Sequence, residues 1–103
     1  MEKHSNIKHQ GKTEYQREVL QRIKDHRIED SLSQKNIADF LDISYGQIGN
    51  IESANQPHKY TLSQISRLCR EYGYSISQLF TGNPDCSKEE LVDAIVRYEE
   101  GEK

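Results

Sequence analysis

The segment from residue 33 to residue 52, SQKNIADFLDISYGQIGNIE, contains two helix-start signals close together. Ser33 and Ser44 each carry a hydroxyl that can accept a hydrogen bond from the free amides at a helix N-terminus. Asp42 lies between them, and its short polar side chain tolerates the left-handed backbone with which helices often end. We therefore expect two short helices joined by a tight turn, the first about two and a half turns long.

Apolar residues recur at helical spacing in both segments, which predicts one buried face on each helix. The residues expected in the core are Ile37, Ala38, Leu41, Ile43, Ile48 and Ile51. The other face of the second helix carries Tyr45, Gln47 and Asn50, which are polar but uncharged. This face is expected to be exposed.

Similar signals predict helices on both sides of this pair. A hydroxyl residue followed three positions later by Gln or Glu, as at Thr61 and Ser87, forms a capping box that starts a helix. Pro57 lacks the amide that a helix interior requires, so residues 53–60 are expected to form a loop. The remaining helices are expected at about residues 14–30, 61–73 and 75–80, with a last one from residue 87. The predicted fold class is therefore all-α.

Composition limits the chain to one small core and disfavours several classes of protein. Hydrophobic residues make up 33% of the 103 residues, with no run long enough to cross a bilayer and no secretion signal, so we expect a cytoplasmic protein without a membrane partner. Cys69 and Cys86 are expected to be structural thiols. The scattered histidines predict no metal site, and no cofactor is expected. No catalytic motif is present, which argues against an enzyme.

Charge is distributed unevenly along the chain. The net charge of −3 disfavours a nucleic-acid partner, but residues 84–103 have a net charge of −4 and residues 1–12 a net charge of +2. An acidic tail away from a contact face would leave that face able to meet phosphates. We expect residues 1–12 to form a flexible arm, whose Lys3, Lys8 and Lys12 either enter a minor groove or stay disordered.

Two short helices joined in this way form a helix-turn-helix unit, whose second helix can enter the major groove of DNA. The amides of Gln47 and Asn50 can donate and accept together, which matches the edge of an adenine. Phosphate contacts are expected around the helix N-termini and the loop that follows the second helix. The residues predicted to make them are Ser33, Gln34, Lys35, Ser44, Lys59 and Tyr60.

Gly46 and Gly49 lie inside the second helix of the unit. Each costs the helix roughly 1 kcal/mol relative to alanine, so their presence needs a reason. Two reasons are possible: close approach of the helix backbone to DNA, or close approach to the preceding helix.

Residues 19–80 resemble the Xre-type repressors, the family of phage repressors and Cro proteins. The residues that carry the resemblance are Ile23, Arg27, Leu32, Ser33, Gln34, Ile37, Ala38, Ile43, Ser44, Ile48, Ile51 and Glu52. Asp42 and Ala54 stand where the family usually has glycine. The resemblance implies a five-helix bundle, which we place at residues 13–83. The residues themselves predict an additional amphipathic helix and an acidic tail at 84–103.

The resemblance also assigns roles to single residues. It implies that Gln34 touches a phosphate, that Arg27 pairs with Glu52, and that the outward residues of the second helix read bases. Those base-reading residues are Tyr45, Gln47 and Asn50.

These observations predict a transcriptional regulator, a repressor in the first instance, that binds a two-fold operator in double-stranded DNA as a homodimer. The last helix is the candidate for pairing the subunits, unless it packs only on its own domain. Its candidate residues are Leu91, Val92, Ile95 and Tyr98. The alternative is an antitoxin-like protein of the same fold whose acidic tail docks on a protein partner.

Overall fold

A computed structural model describes residues 11–101, and over this range the chain forms six α-helices and no strand. The all-α prediction is therefore confirmed. The helices are α1 (Glu14–Glu29), α2 (Gln34–Leu41), α3 (Tyr45–Glu52), α4 (Leu62–Tyr72), α5 (Ile76–Thr81) and α6 (Lys88–Glu100). Lys3 and Lys8 of the expected arm lie outside the described residues.

Each helix begins after a serine or threonine whose hydroxyl accepts a hydrogen bond from a backbone amide three residues on. The caps are Thr13, Ser33, Ser44, Thr61, Ser75 and Ser87, and every one except Ser75 belongs to a reciprocal capping box. The boxes at Thr61 and Ser87 were predicted. The other three use Gln16, Asn36 and Gln47 as the returning side chain. An N-cap stabilises a helix by about 1 kcal/mol, so these boxes fix where each short helix starts.

The turn between α2 and α3 has the predicted conformation. Asp42 adopts the left-handed region at φ 60° and ψ 46°, which ends α2. The amide of Ile43 then donates to the carbonyl of Ala38 at 3.0 Å, and the Ile43 side chain is half-buried rather than fully in the core. Ser31 also takes a positive φ, of 59°, just after α1, although no feature of the sequence predicted it.

The chain divides into two compact units, the first of which ends at Lys59. In this unit α3 contacts both α1 and α2. The buried apolar side chains of this unit lie on one face of each helix. They are Tyr15, Val19, Leu20, Ile23, Ile37, Ala38, Leu41, Ile48 and Ile51. The helix-turn-helix pair therefore rests on α1.

The second unit begins at Tyr60 and contains α4, α5 and α6. The rings of Phe80 and Tyr98 meet edge to face, with centroids 5.4 Å apart, and the Tyr98 hydroxyl donates to the carbonyl of Tyr60 at 2.6 Å. The domain boundary expected between residues 83 and 84 is therefore not where the chain divides, because α6 packs with α5 inside this unit.

Candidate nucleic-acid interface

A two-point ion pair fixes the end of α3. Nε of Arg27 lies 2.7 Å from Oε2 of Glu52, and a terminal nitrogen of the same guanidinium lies 2.9 Å from Oε1. The other terminal nitrogen donates to the carbonyl of Leu32 at 2.7 Å. Arg27 and Glu52 therefore pair as predicted. Through these contacts Arg27 connects α1 both to Leu32, just before the helix-turn-helix unit, and to Glu52, the last residue of that unit.

Gln34 has a different main contact from the one expected. Its side-chain amide donates to Oε1 of Glu52 at 2.9 Å, and the residue is half-buried. Gln34 is thus the third member of the Arg27–Glu52 cluster and joins α2 to α3. One of its two amide hydrogens is committed to Glu52, which leaves the other and the backbone amide for any phosphate.

The outward face of α3 is exposed as predicted. Tyr45 is 64% exposed, and Gln47 and Asn50 are also exposed. Ile48 and Ile51, on the opposite side, are 0% and 5% exposed. A rigid helix with a buried apolar face thus presents an uncharged polar face to solvent.

Gln47 is exposed, but its side chain already has a local partner. Its Oε1 accepts a hydrogen bond from the backbone amide of Ser44 at 3.0 Å, and the backbone amide of Gln47 donates to the Ser44 hydroxyl at 3.1 Å. A two-point contact with adenine needs both the oxygen and the nitrogen of the side-chain amide. The side-chain oxygen of Gln47 is already used in the capping box, whereas Asn50, in the second turn, lies outside the box.

Gly46 and Gly49 occupy the middle of the exposed face. At about 100° per residue, Gly46 lies nearly opposite the midpoint between the buried Ile48 and Ile51, and Gly49 is next to it. Among the described residues, leaving aside the two chain neighbours and the helix's own backbone, no atom lies within 4 Å of a Cβ placed at either glycine. Close packing against the preceding helix, one of the two reasons considered above, is therefore excluded.

Ser33, Ser44 and Lys35, which were predicted to contact phosphate, lie at the starts of α2 and α3 and are exposed. The two serine hydroxyls accept from the amides of Asn36 and Gln47 and keep their own hydrogens for a further bond. The Lys35 side chain is 73% exposed and pairs with Asp39 at 2.9 Å, one turn along α2. A phosphate at Lys35 would compete with this exposed and weak pair.

Tyr60 was expected to contact phosphate, and this prediction is wrong. Tyr60 is 1% exposed and belongs to the second unit, where its carbonyl accepts from Tyr98. It immediately precedes the cap Thr61, and Ile65, four positions into α4, is also buried. An apolar residue before a cap often packs against that fourth position, and this spacing was the overlooked signal. Lys59 is half-buried.

Lys12 is not part of a flexible arm. It is 2% exposed, and its Nζ donates to the backbone carbonyls of Ser53 and Gln56, in the loop that follows α3. Arg17 in turn donates to the carbonyl of Lys12 at 2.7 Å. Burial, and next the positive charge of Arg17, lower the pKa of Lys12. Lys12 therefore holds the loop and is unavailable to a minor groove.

A shallow cleft of about 310 Å³ lies between the start of α1 and the end of α3. Lys12, Arg17 and Lys24 line it together with Glu14, Glu18 and Glu52, among others. The cationic and anionic side chains balance, so the cleft has no charge preference that would favour an anionic ligand.

The predicted dimer face needs one correction. Tyr98 is fully buried against Phe80 and bonded to Tyr60, so it belongs to the core of its own unit. Leu91 and Ile95 are half-buried. Val92 and Val96 remain 50% and 46% exposed, one turn apart on α6. These two valines are the large apolar side chains of α6 that are left for contact with another molecule.

Within residues 11–101, no three side chains of His, Cys, Asp or Glu come together in a way that could hold a metal ion. Over the same residues, no helix has the length and apolar character that crossing a membrane requires. Cys69 is half-buried, and burial raises the pKa of its thiol, which disfavours the reactive thiolate. No protein-family model, curated protein or solved structure matches the chain.

Proposed function

We propose that this protein is a sequence-specific DNA-binding transcriptional regulator that uses α3 as its recognition helix in the major groove. The observation that carries the proposal is the exposed, uncharged face of α3 on a short helix pair, held by the Arg27–Glu52–Gln34 cluster. A helix that reads bases must present amide or aromatic groups, and the helix itself must be held firmly by the rest of the protein. Tyr45 and Asn50 on this face are in that situation.

Phosphate contacts are assigned to the N-terminal ends of α2 and α3. The first amides of a helix point outward and carry a partial positive charge, which favours phosphate. Ser33 and Ser44 begin these helices, and Lys35 adds a positive charge in the first turn of α2. These contacts position the protein on the duplex without reading sequence.

The protein acts as a repressor in this proposal, in the cytoplasm and as a homodimer on a two-fold operator. Half-sites about 34 Å apart place two copies of α3 in successive major grooves on one side of the duplex. The exposed pair Val92 and Val96 is the candidate contact between the copies.

Selection of bound sequences from a random duplex pool, at a stated salt concentration, tests the proposal. We expect enrichment of a short motif, present as two inverted half-sites. Asn50→Ala should relax the preference at one position, whereas Lys35→Ala should weaken binding to all sequences and reduce the salt dependence. A pool that stays random at low salt, where phosphate contacts are strongest, would refute sequence-specific binding.

A second candidate function is binding to a protein, as an antitoxin-like partner. It is favoured by the acidic surface of α6, where the exposed Val92 and Val96 are accompanied by exposed carboxylates. The carboxylates are Glu89, Glu90, Asp93, Glu99 and Glu100. Co-purification of one basic protein from the source cell, lost on Val92→Asp and kept in Asn50→Ala, would support this function.

A further inference from the structure

We propose that the cleft between the start of α1 and the end of α3 binds a small zwitterion, an α-amino acid with an apolar side chain. Cationic side chains lie along the inner edge of this cleft and carboxylates along its outer edge, which matches the two charges of such a ligand. None of the residues assigned to DNA lines the cleft, so the inference goes beyond the proposed function and does not depend on it.

The two edges of the cleft follow from the positions of its charged residues on α1. At about 100° per residue, Glu14 and Glu18 lie within about 40° of each other around the helix, and Arg17 and Lys24 lie within about 20°. The cationic pair is the nearer of the two pairs to Leu20, which is 5% exposed and belongs to the core. The positive charges therefore lie on the inner side of the cleft and the negative charges on the outer side.

Lys12 adds a buried cation to the inner edge. It lines the cleft and is 2% exposed, and Arg17 donates to its carbonyl. Its ammonium has three hydrogens, of which the carbonyls of Ser53 and Gln56 accept two. Both acceptors are neutral, and within residues 11–101 no carboxylate pairs with Lys12. A buried cation is costly without a negative partner, and the carboxylate of a ligand in the cleft would supply one.

The carboxylates of the cleft differ in how far they are already used. Glu52 is paired with a guanidinium that does not line the cleft. Glu18 lies 3.8 Å from Arg22 in a partly exposed pair, which contributes little. The Glu14 side chain forms no ion pair or hydrogen bond within the part of the chain that the structure describes. Glu14 and Glu18 are therefore the groups that hold the ammonium of the ligand.

The size and the lining of the cleft define the rest of the ligand. Its volume of about 310 Å³ is at the lower end of the range for small-molecule sites, about 300 to 1,000 Å³. Because the charges balance, a ligand without net charge is favoured over an anion. Leu20 and Ile51 supply the apolar part of the lining, which fits a branched aliphatic side chain. An α-amino acid such as leucine combines these properties in one small molecule.

Titration with leucine, followed by nuclear magnetic resonance of the backbone amides, tests this inference without DNA. We expect saturable shifts confined to residues 12–24 and 51–56, with a Kd of about 1 mM, as for other ligands of this size. Two analogues each lack one charge: 4-methylpentanoate has no ammonium, and 3-methylbutylamine has no carboxylate. Both should bind at least about fivefold more weakly than leucine. Glycine, which keeps both charges and lacks the side chain, should also bind more weakly.

Substitutions on each edge of the cleft have matched controls. Glu14→Gln and Lys24→Gln each remove one charge from the lining, whereas Glu29→Gln and Lys35→Gln make the same changes at exposed positions outside it. The cleft variants should bind leucine at least about threefold more weakly than wild type, and the controls should bind it equally. Thermal unfolding identifies any variant that is not folded.

The absence of saturable shifts at about 50 mM leucine would overturn the inference, as would shifts centred outside the cleft. Equal binding of leucine and its two single-charge analogues would overturn the choice of a zwitterion. A folded cleft variant that binds leucine as tightly as the controls would overturn the assignment of its edge. All of these outcomes leave the proposed DNA-binding function intact, because the selection experiment tests that function separately.

Discussion

Arg27 and Glu52 are joined through two nitrogen–oxygen contacts of 2.7 and 2.9 Å, although 25 residues separate them in the chain. The carboxylate is 5% exposed and the guanidinium side chain 12%. Glu52 also accepts from Gln34, so the last residue of α3 is bonded to both of the other helices in its unit. The direction of α3 depends on this carboxylate.

Arg27→Ala should lower the free energy of unfolding by about 3 kcal/mol, because it leaves the largely buried Glu52 carboxylate without its cation. Urea unfolding monitored by circular dichroism measures this change. Lys35→Ala is the control, since it breaks an exposed pair with Asp39 that contributes less than about 1 kcal/mol. A loss no greater in Arg27→Ala than in Lys35→Ala would contradict the structural role of the pair.

Gln47→Ala and Asn50→Ala should separate stability from recognition. Gln47→Ala removes half of the α3 capping box and should cost about 0.5 to 1 kcal/mol of stability. Asn50→Ala touches no cap and should change stability by less than about 0.5 kcal/mol. On the selected duplex, Asn50→Ala should lose about 1 to 3 kcal/mol of binding at one base position. Thermal unfolding and titration of both variants test this, and an unstable Asn50→Ala would contradict it.

Lys12→Met should loosen the loop after α3, since it leaves the carbonyls of Ser53 and Gln56 without their buried donor. An unsatisfied buried acceptor costs about 1 to 3 kcal/mol. Faster hydrogen exchange in residues 53–56 is the expected signature. Unchanged exchange there would show that Lys12 does not hold the loop.

The pH dependence gives Lys12 a second signature. Its pKa is lowered in the folded protein, so the unfolded chain binds more protons between that lowered value and the ordinary 10.5. Stability contributed by this residue therefore rises with pH through that window. Wild type should gain stability relative to Lys12→Met as pH increases toward 10.5. Parallel curves for the two proteins would contradict the burial of the amine.

Tyr98→Phe should show the opposite trend with pH. Burial, followed by the charge of Glu99 and the nearby Tyr60, raises the pKa of Tyr98 well above its ordinary 10.0. The unfolded tyrosine ionises first, so its contribution is complete below pH 10 and is lost as pH rises above it. At neutral pH the variant should be about 1 kcal/mol less stable, since it loses the bond to Tyr60. This deficit, measured by urea unfolding, should shrink above pH 10, and a constant deficit would contradict the assignment.

Val92→Asp with Val96→Asp tests the proposed contact between two copies of the chain. Both side chains are about half exposed, so the charges should leave the fold intact and prevent α6 from pairing with another α6. Sedimentation should show a dimer for wild type at tens of micromolar and a monomer for the variant. Binding to a single half-site should be unchanged. A dimer that survives both substitutions would place the interface elsewhere.

The local parts of this fold could be predicted from the sequence alone. The caps at Ser33 and Ser44, the left-handed Asp42 and the outward face of α3 depend on residues within one turn of each other. Short-range hydrogen bonds and a period of about 3.6 residues are properties of the segment itself. Even the missed box at Gln47 is written locally, as a serine followed three residues later by glutamine.

Only the tertiary structure determined the burial and the hydrogen-bond partners of Lys12, Gln34, Tyr60 and Tyr98. The partners of Lys12 lie 41 and 44 residues away, and Tyr98 reaches across 38 residues to Tyr60. The local sequence around a polar or aromatic residue near a helix end is the same whether its side chain is hydrated or bonded to a distant group. Only folding brings the distant acceptor within hydrogen-bonding distance. Once the groups are buried, the bond must form because an unpaired buried polar group is costly.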